Sequence, residues 1–297
     1  MTVSVLVPSS LAREAEDRRE ATRKLGYVAR AATVFRVDRL TVFPDPAGRG
    51  KWEDGFVETV LRYAVTPPYL RKEVWDRRDE LEFAGVLPPL RVRSQTGSGS
   101  EGSGSLRQGI VTEVGADGHV RVNCGLQHPI SLPVPSGMEV GERERVTVRV
   151  SSREPVRAKL VDESPPGFVV DAANLDSALA RDDAGLTIAA SRYGEELGVA
   201  RLGQLVEAIE ASGAEPRSAE SHAASPRDGE PECTVAFGAP ERGLPDILGT
   251  DPDALGADHG ETGRFDLWLN TVPNQGSEVV RTEEAMFATL ACLTLKE

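Results

Sequence analysis

The chain has 297 residues, 39% of them hydrophobic, enough for a sizeable core in one large domain or two. No apolar run approaches the roughly 18 residues of a membrane span, and the start, MTVSVLVPSS, lacks the positive region and long apolar segment of a signal peptide, so a cytoplasmic protein with no membrane partner is expected. Its 47 acids against 34 cations, a net charge of −13, argue taken alone against a nucleic-acid partner, but only five of the cations are lysine.

Arginine in place of lysine under a coat of carboxylate is the composition of proteins from salt-loving archaea, where excess acid keeps the surface soluble. Local charge is then more informative than the total. High salt also weakens phosphate contacts, so an RNA-binding protein of such a cell needs shape and stacking besides charge.

In chain order, residues 3–7 read as a buried strand of a parallel sheet. Ser9 or Ser10 can cap a polar helix running to about Lys24. A second helix follows, with Val28, Ala31, Ala32 and Phe35 on one stripe and Arg30 and Arg36 off it. A strand at 39–43 makes the segment β-α-α-β. After the turn PDPAGRGK, Phe56, Val57, Val60 and Leu61 mark another helix. The stretch 66–93 brackets a short helix between two proline pairs and carries six cations against five acids. Tyr69, Arg71, Lys72 and Arg91 there set an aromatic ring among cations, which suits RNA as well as it suits a solvated helix face.

SQTGSGSEGSGS, residues 94–105, is a flexible linker by composition and a domain boundary. Beyond it the texture changes to about five short strands in fewer than sixty residues, which predicts a small closed barrel of the OB type over 106–163. Val120, Val122 and Cys124 should point inward with Val146, Val148 and Val150, and Arg121, Arg145, Thr147 and Arg149 outward. Eight cations meet seven acids over 106–162, so Arg121, Arg145 and Arg149 can form an RNA-facing wall or simply be solvated. Helix and strand texture returns at PPGFVVDAAN, so the barrel reads as inserted into a larger α/β domain comprising 1–93 and 164–297. There LTIAASRYGEEL predicts a strand ending at Ser191 and Arg192, and Leu202, Leu205, Val206 and Ile209 mark a helix over about 201–211. The acidic stretch after Ser212 reads as disordered.

Two buried strands end in glycine-containing loops, FGAPERGL (237–244) and LNTVPNQG (269–276), the place where open α/β sheets hold ligands. The helix after the second loop has Thr282 as a candidate N-cap and Glu283 and Glu284 in its first turn. Neither loop is a GxGxxG or a P-loop, and no Ser-His-Asp, Cys-His or paired-glutamate arrangement is legible. Cys124, Cys233 and Cys292 sit in apolar or strand-like contexts, and the four histidines show no zinc spacing, so packed thiols and no metal are expected.

The motifs TPPYLRKEVW, AGVLPPLR, FGAPERGLPDIL and NTVPNQGSEVVRTEEA, in this order, resemble the archaeal and eukaryotic RNA methyltransferases of the SPOUT (alpha/beta-knot) superfamily that carry an inserted OB-like domain. The resemblance implies an α/β fold with a deep C-terminal trefoil knot, a homodimer, S-adenosylmethionine as cofactor and RNA as partner. No sequence pattern would lead to a knot. Carried over residue by residue, it makes Phe237, Gly238, Glu241, Gly243, Leu269, Asn270, Val272, Pro273, Gly276 and Ala285 the cofactor-binding set. A bulky residue at Gly276 is then expected to abolish cofactor binding. Arg30, Arg36 and Glu241 are the implied catalytic candidates, with the general base unassigned. The implied activity is methylation of a ribosomal RNA base, uridine N3 being the guess. The competing class is a non-catalytic ribosome-assembly factor that keeps the knot as a dimer scaffold. A single-strand DNA binder is disfavoured, because 106–162 contains no Phe, Tyr or Trp on which bases could stack.

Overall fold

The strand expected at 3–7 is β1 (Thr2–Pro8), and six of its seven residues are buried, as a strand covered on both faces requires. The computed structural model describes residues 1–48, 51–52, 55–92, 104–163, 165–212, 232–251 and 264–295. Most of the serine-glycine linker and the acidic insert after Ser212 lie outside the described residues.

The two helices expected after β1 are one, α1 (Arg18–Val34), so the segment is β-α-β. Asp17 is the cap: its carboxylate accepts the Glu20 N–H at 2.7 Å. Ser9 and Ser10 are held elsewhere, Ser10 donating its hydroxyl to Asp45 at 2.7 Å, and the residues before Asp17 form turns. The helix closes in a Schellman arrangement, with Arg36 left-handed (φ 53°) and the Arg36 and Val37 N–H groups donating to the carbonyls of Thr33 and Ala32.

Next come β2 (Arg39–Phe43), α2 (Phe56–Val65) and the single turn α3 (Arg71–Val74). A run of strands follows: β3 (Ser105–Val114), β4 (His119–Asn123), β5 (Ile130–Pro133), β6 (Arg145–Arg153) and β7 (Val156–Val161). The chain then returns through β8 (Val169–Ala172), α4 (Leu175–Leu179), β9 (Leu186–Glu196), α5 (Val199–Ser212), β10 (Glu232–Phe237), α6 (Leu244–Leu248), β11 (Leu267–Asn270) and α7 (Thr282–Leu293).

Six strands form a parallel sheet in the order β11-β9-β10-β1-β2-β8. One face packs Val5, Val42, Val235 and Leu269 against α1, α2, α5 and α7; the other packs Leu6, Phe43, Ala236 and Trp268 against α4 and α6. Two-sided burial explains why these strands read as continuous apolar runs. The remaining five form an antiparallel sheet, order β5-β4-β3-β6-β7, whose outer strands approach each other so that it nearly closes. In the chain it lies between β2 and β8, which are neighbours in the parallel sheet.

Inside the second sheet Val120, Val122, Cys124, Val148 and Val150 are buried, as the alternation requires. Thr147, expected outward, is buried as well, because the outer face of β3 and β6 meets the segment after α2: Thr147 pairs with the buried Gln108, whose carbonyl accepts the Tyr69 hydroxyl at 2.8 Å. Cys233 is packed in the parallel sheet, and burial pushes its thiol up to about 12. Among the described residues no helix is long and apolar enough to cross a membrane, and no cluster of His, Cys, Asp or Glu could hold a metal.

Candidate functional site

At the C-terminal edge of β9, β10 and β11 lies a cleft of about 880 Å3, part of it open to solvent. Its first wall comes from β9. That strand pairs with β11 through Ile188 and Ala189, then rejoins it at Glu195 and Glu196, so the register skips the residues between. Ala190, Ser191, Arg192 and Tyr193 fall in this excursion and line the cleft. Gly194 lets the strand return: a Cβ there would stand 2.6 Å from the Leu269 nitrogen and the Trp268 carbonyl carbon. The expected strand end at Ser191 and Arg192 leaves out this wall, for which the signal in the sequence is a lone glycine, Gly194, after Ser191, Arg192 and Tyr193.

The second wall is the loop after β10. Ala239 and Arg242 exchange backbone hydrogen bonds of 3.0 and 3.1 Å around Pro240 and Glu241, a tight turn with proline at its second position. Glu241 takes the third position with φ 59°, a conformation that glycine adopts at no cost, and it is exposed on the cleft. Gly238 has no room for a side chain, since a Cβ would meet the Gly243 Cα and the Leu244 nitrogen at 2.8 Å. Arg242 anchors the turn to the loop after β2 by a bidentate pair with Asp45, at 2.9 and 3.0 Å. Asp45 is 2% exposed. Burial drives its carboxyl pKa up, but the hydrogen bonds of Arg242 and Ser10, with the charge of Arg242 and the Gly48 N–H, outweigh this and hold it below its ordinary value.

The third wall is the loop after β11 and the start of α7. The Asn270 side chain bridges both neighbours, donating to the Arg192 carbonyl at 3.1 Å and accepting the Val272 N–H at 3.0 Å. Thr282 is not the cap of α7. Arg281 holds that position, with its N–H on the Glu284 carboxylate at 2.9 Å. Thr282 is the first helical residue and donates its hydroxyl to the Gly238 carbonyl at 2.8 Å, tying the helix to the other glycine loop. Thr282→Val, which keeps the shape and leaves that carbonyl unpaired, should cost about 1 kcal/mol of stability. A thermal melt reads this directly, and an unchanged midpoint would remove the tie from the account.

Of the expected cofactor set, Phe237, Gly238, Glu241, Gly243, Asn270, Val272 and Ala285 line this one cleft. The structure does not bring Leu269, Pro273 or Gly276 to it: Leu269 is core, and a Cβ on Gly276 would meet nothing within 4 Å. A Cβ on Gly238 would meet backbone, so Gly238 joins Gly276 as a position at which to test the site. Arg30 and Arg36 also lie off the cleft. Arg30 donates to the Leu90 carbonyl at 2.7 Å, and Arg36 closes α1 beside the N-terminal end of β2, at the opposite edge of the sheet. Their spacing along α1 carried no information about which edge the helix ends at.

The expected RNA-binding residues are dispersed. Tyr69 is a packing residue between the two sheets, its ring against Gly125 and under Arg107. Burial raises its phenol to about 12. Arg121 and Arg149 pair with Glu113 and Glu163. Lys72 and Arg91 are exposed. Arg71 and Arg145 both turn towards Thr66.

A family model described as "Putative RNA methyltransferase" matches residues 2–293. A Haloarcula marismortui protein described only as uncharacterized is 74% identical over the whole of both chains, and one from Halobacterium salinarum is 64% identical over the whole of both. The human 28S rRNA (uridine-N(3))-methyltransferase is 29% identical across 98% of this chain and 77% of its own length.

Proposed function

The chain belongs to the RNA methyltransferase family so described, and from that premise we propose that it transfers a methyl group from S-adenosylmethionine to a base of ribosomal RNA, with uridine N3 as the acceptor. The observation that carries the reading is the convergence of two glycine loops and a helix start on one cleft at the C-terminal edge of a parallel sheet. We further take the fold to be the trefoil-knotted SPOUT type acting as a homodimer, with 106–163 as its inserted OB-like domain.

The residues present fit such a cofactor. Gly238 lets its loop close directly on the Gly243 and Leu244 backbone to shape one wall, and Val272, Val279, Val280 and Ala285 supply apolar surface for a planar ring. Glu241, Asp246 and Glu278 line the same cleft against Arg192, while Arg242 is neutralised by Asp45, so among the described residues three acids face one free cation and the site favours a positive group. When bound, S-adenosylmethionine supplies a methyl carbon on a positively charged sulfur. For the chain there remain alignment of the acceptor and exclusion of water. Glu241, on its strained turn, is the group we assign to contact the reacting atoms.

Titration calorimetry with S-adenosylmethionine separates this from a scaffold, which need not bind it. Purified protein with cofactor and cognate ribosomal RNA should then yield methylated uridine. No heat of binding, together with an unchanged methylation pattern in a deletion strain, would sink the proposal.

A further inference from the structure

An acidic cleft repels phosphate, so an RNA substrate needs its backbone held elsewhere, and one cluster has the chemistry. Thr66 is 1% exposed at the end of α2, where the two sheets meet. Its hydroxyl accepts the Trp75 indole N–H at 3.0 Å and an Arg145 N–H at 3.4 Å, and its carbonyl accepts the Arg71 Nε at 3.1 Å. Arg71 lies 4.5 Å over the Tyr63 ring, Tyr63 meets Trp75 edge-on at 5.7 Å, and Arg78 lies 5.6 Å over the Trp75 ring. The cluster thus joins α2 and the segment after it to β6 of the antiparallel sheet.

Arg71, Arg78 and Arg145 have no carboxylate partner among the described residues, in a chain with an excess of 13 acids. The charge that bears on Arg145 is the like charge of Arg62, itself paired with Glu58. Glu73, the nearest acid on α3, is engaged by the Asn123 amide at 2.6 Å. Three uncompensated guanidinium groups around two partly exposed rings make a surface that accepts anions and stacks bases.

We propose that this Thr66-centred cluster is the surface that grips the RNA, Arg78 and Arg145 on backbone phosphate and Trp75 on a base, at the junction of the two sheets. It rests on the reading of RNA as substrate and adds where and how the strand is held. The stacking component suits a protein that works in high salt, because it survives where phosphate contacts are screened.

Fluorescence anisotropy of a labelled single-stranded RNA, titrated with the full-length protein at several potassium chloride concentrations, tests this. Arg78→Gln combined with Arg145→Gln should weaken binding about tenfold and lower the slope of log affinity against log salt by about one to two. Trp75→Ala should weaken it about tenfold even at high salt, and Trp75→Phe, which keeps a ring, should stay near the unsubstituted protein. Cofactor affinity measured on the same samples should not change, which shows that the site elsewhere is folded. RNA held equally well by the arginine double variant would overturn the proposal. RNA not held by the unsubstituted protein while cofactor still binds would overturn the substrate reading, and this proposal with it.

Discussion

Gly238→Ala is expected to lower S-adenosylmethionine affinity between about tenfold and a hundredfold while leaving the antiparallel sheet folded. The methyl group would have to occupy a position 2.8 Å from the Gly243 Cα and the Leu244 nitrogen. Both are backbone atoms, so no flexible side-chain end can move aside. Gly243 precedes α6, and its N–H donates to Asp246 at 3.0 Å, so the far side of the contact is fixed as well. Overpacking of this kind costs about 1–3 kcal/mol when it stays in place, and a loop that shifts to relieve it must be restored at that cost on binding, each 1.4 kcal/mol being a factor of ten in affinity. The strain would also pull the Gly238 carbonyl from the Thr282 hydroxyl, loosening two walls at once. Gly276→Ala is the contrast, with nothing within 4 Å of the new atom, and should bind cofactor within about twofold of the original. Calorimetric titration of both variants decides the matter. Equal binding by Gly238→Ala would refute the assignment of this cleft as the cofactor site, and a large loss at Gly276 would show that this residue too faces the cofactor.

The second large effect is expected at Arg242→Ala. The substitution leaves a carboxylate that is 2% exposed with, among the described residues, Ser10 and the Gly48 N–H for hydrogen-bond partners. Breaking a buried pair from one side costs about 3–5 kcal/mol, most of it the desolvation of the orphaned charge. The pH dependence follows from the direction of the Asp45 shift. Its pKa is lower folded than unfolded, so its stabilisation is complete above the ordinary carboxylate value and is lost as pH falls through the folded one. The unsubstituted protein should therefore hold its melting temperature down to about pH 4 and lose it below. In Arg242→Ala, burial acts with less opposition, the Asp45 pKa rises, and the fall should begin at higher pH. Melting curves collected across this range check both statements. Asp45→Asn with Arg242→Ala should recover part of the loss, since the buried charge is then gone. A melting temperature unchanged by Arg242→Ala would show that the pair is incidental.

The parts of the site that were legible in the sequence were those marked by backbone demands. FGAPERGL and LNTVPNQG stand out because glycine and proline break apolar runs, and six residues assigned from them meet in one cleft. What they could not reveal was which of their own residues face inward. Gly276 looked as constrained as Gly238, yet only the latter is pressed against another backbone. Arg30 and Arg36 are candidates through the resemblance alone, and the direction of α1 takes them away from the cleft. Tyr69 beside cations read as a stacking residue, but its hydroxyl is committed to a strand of the other sheet.

By itself the sequence determined the class of most elements, though not every boundary. Apolar runs without alternation mark the parallel strands, alternation marks the antiparallel ones, and a 3.6-residue stripe marks α2, because each pattern is a property of a few neighbouring residues. Only the tertiary structure decided the contacts that make the candidate sites. Arg242 meets Asp45 across 197 residues, Arg145 meets Thr66 across 79, and β9 swings four residues into the cleft because β11 pairs on either side of them. The physical reason is that a side chain's partner is set by strand register and sheet order, which are selected by burial of the whole core and leave no trace in any local window.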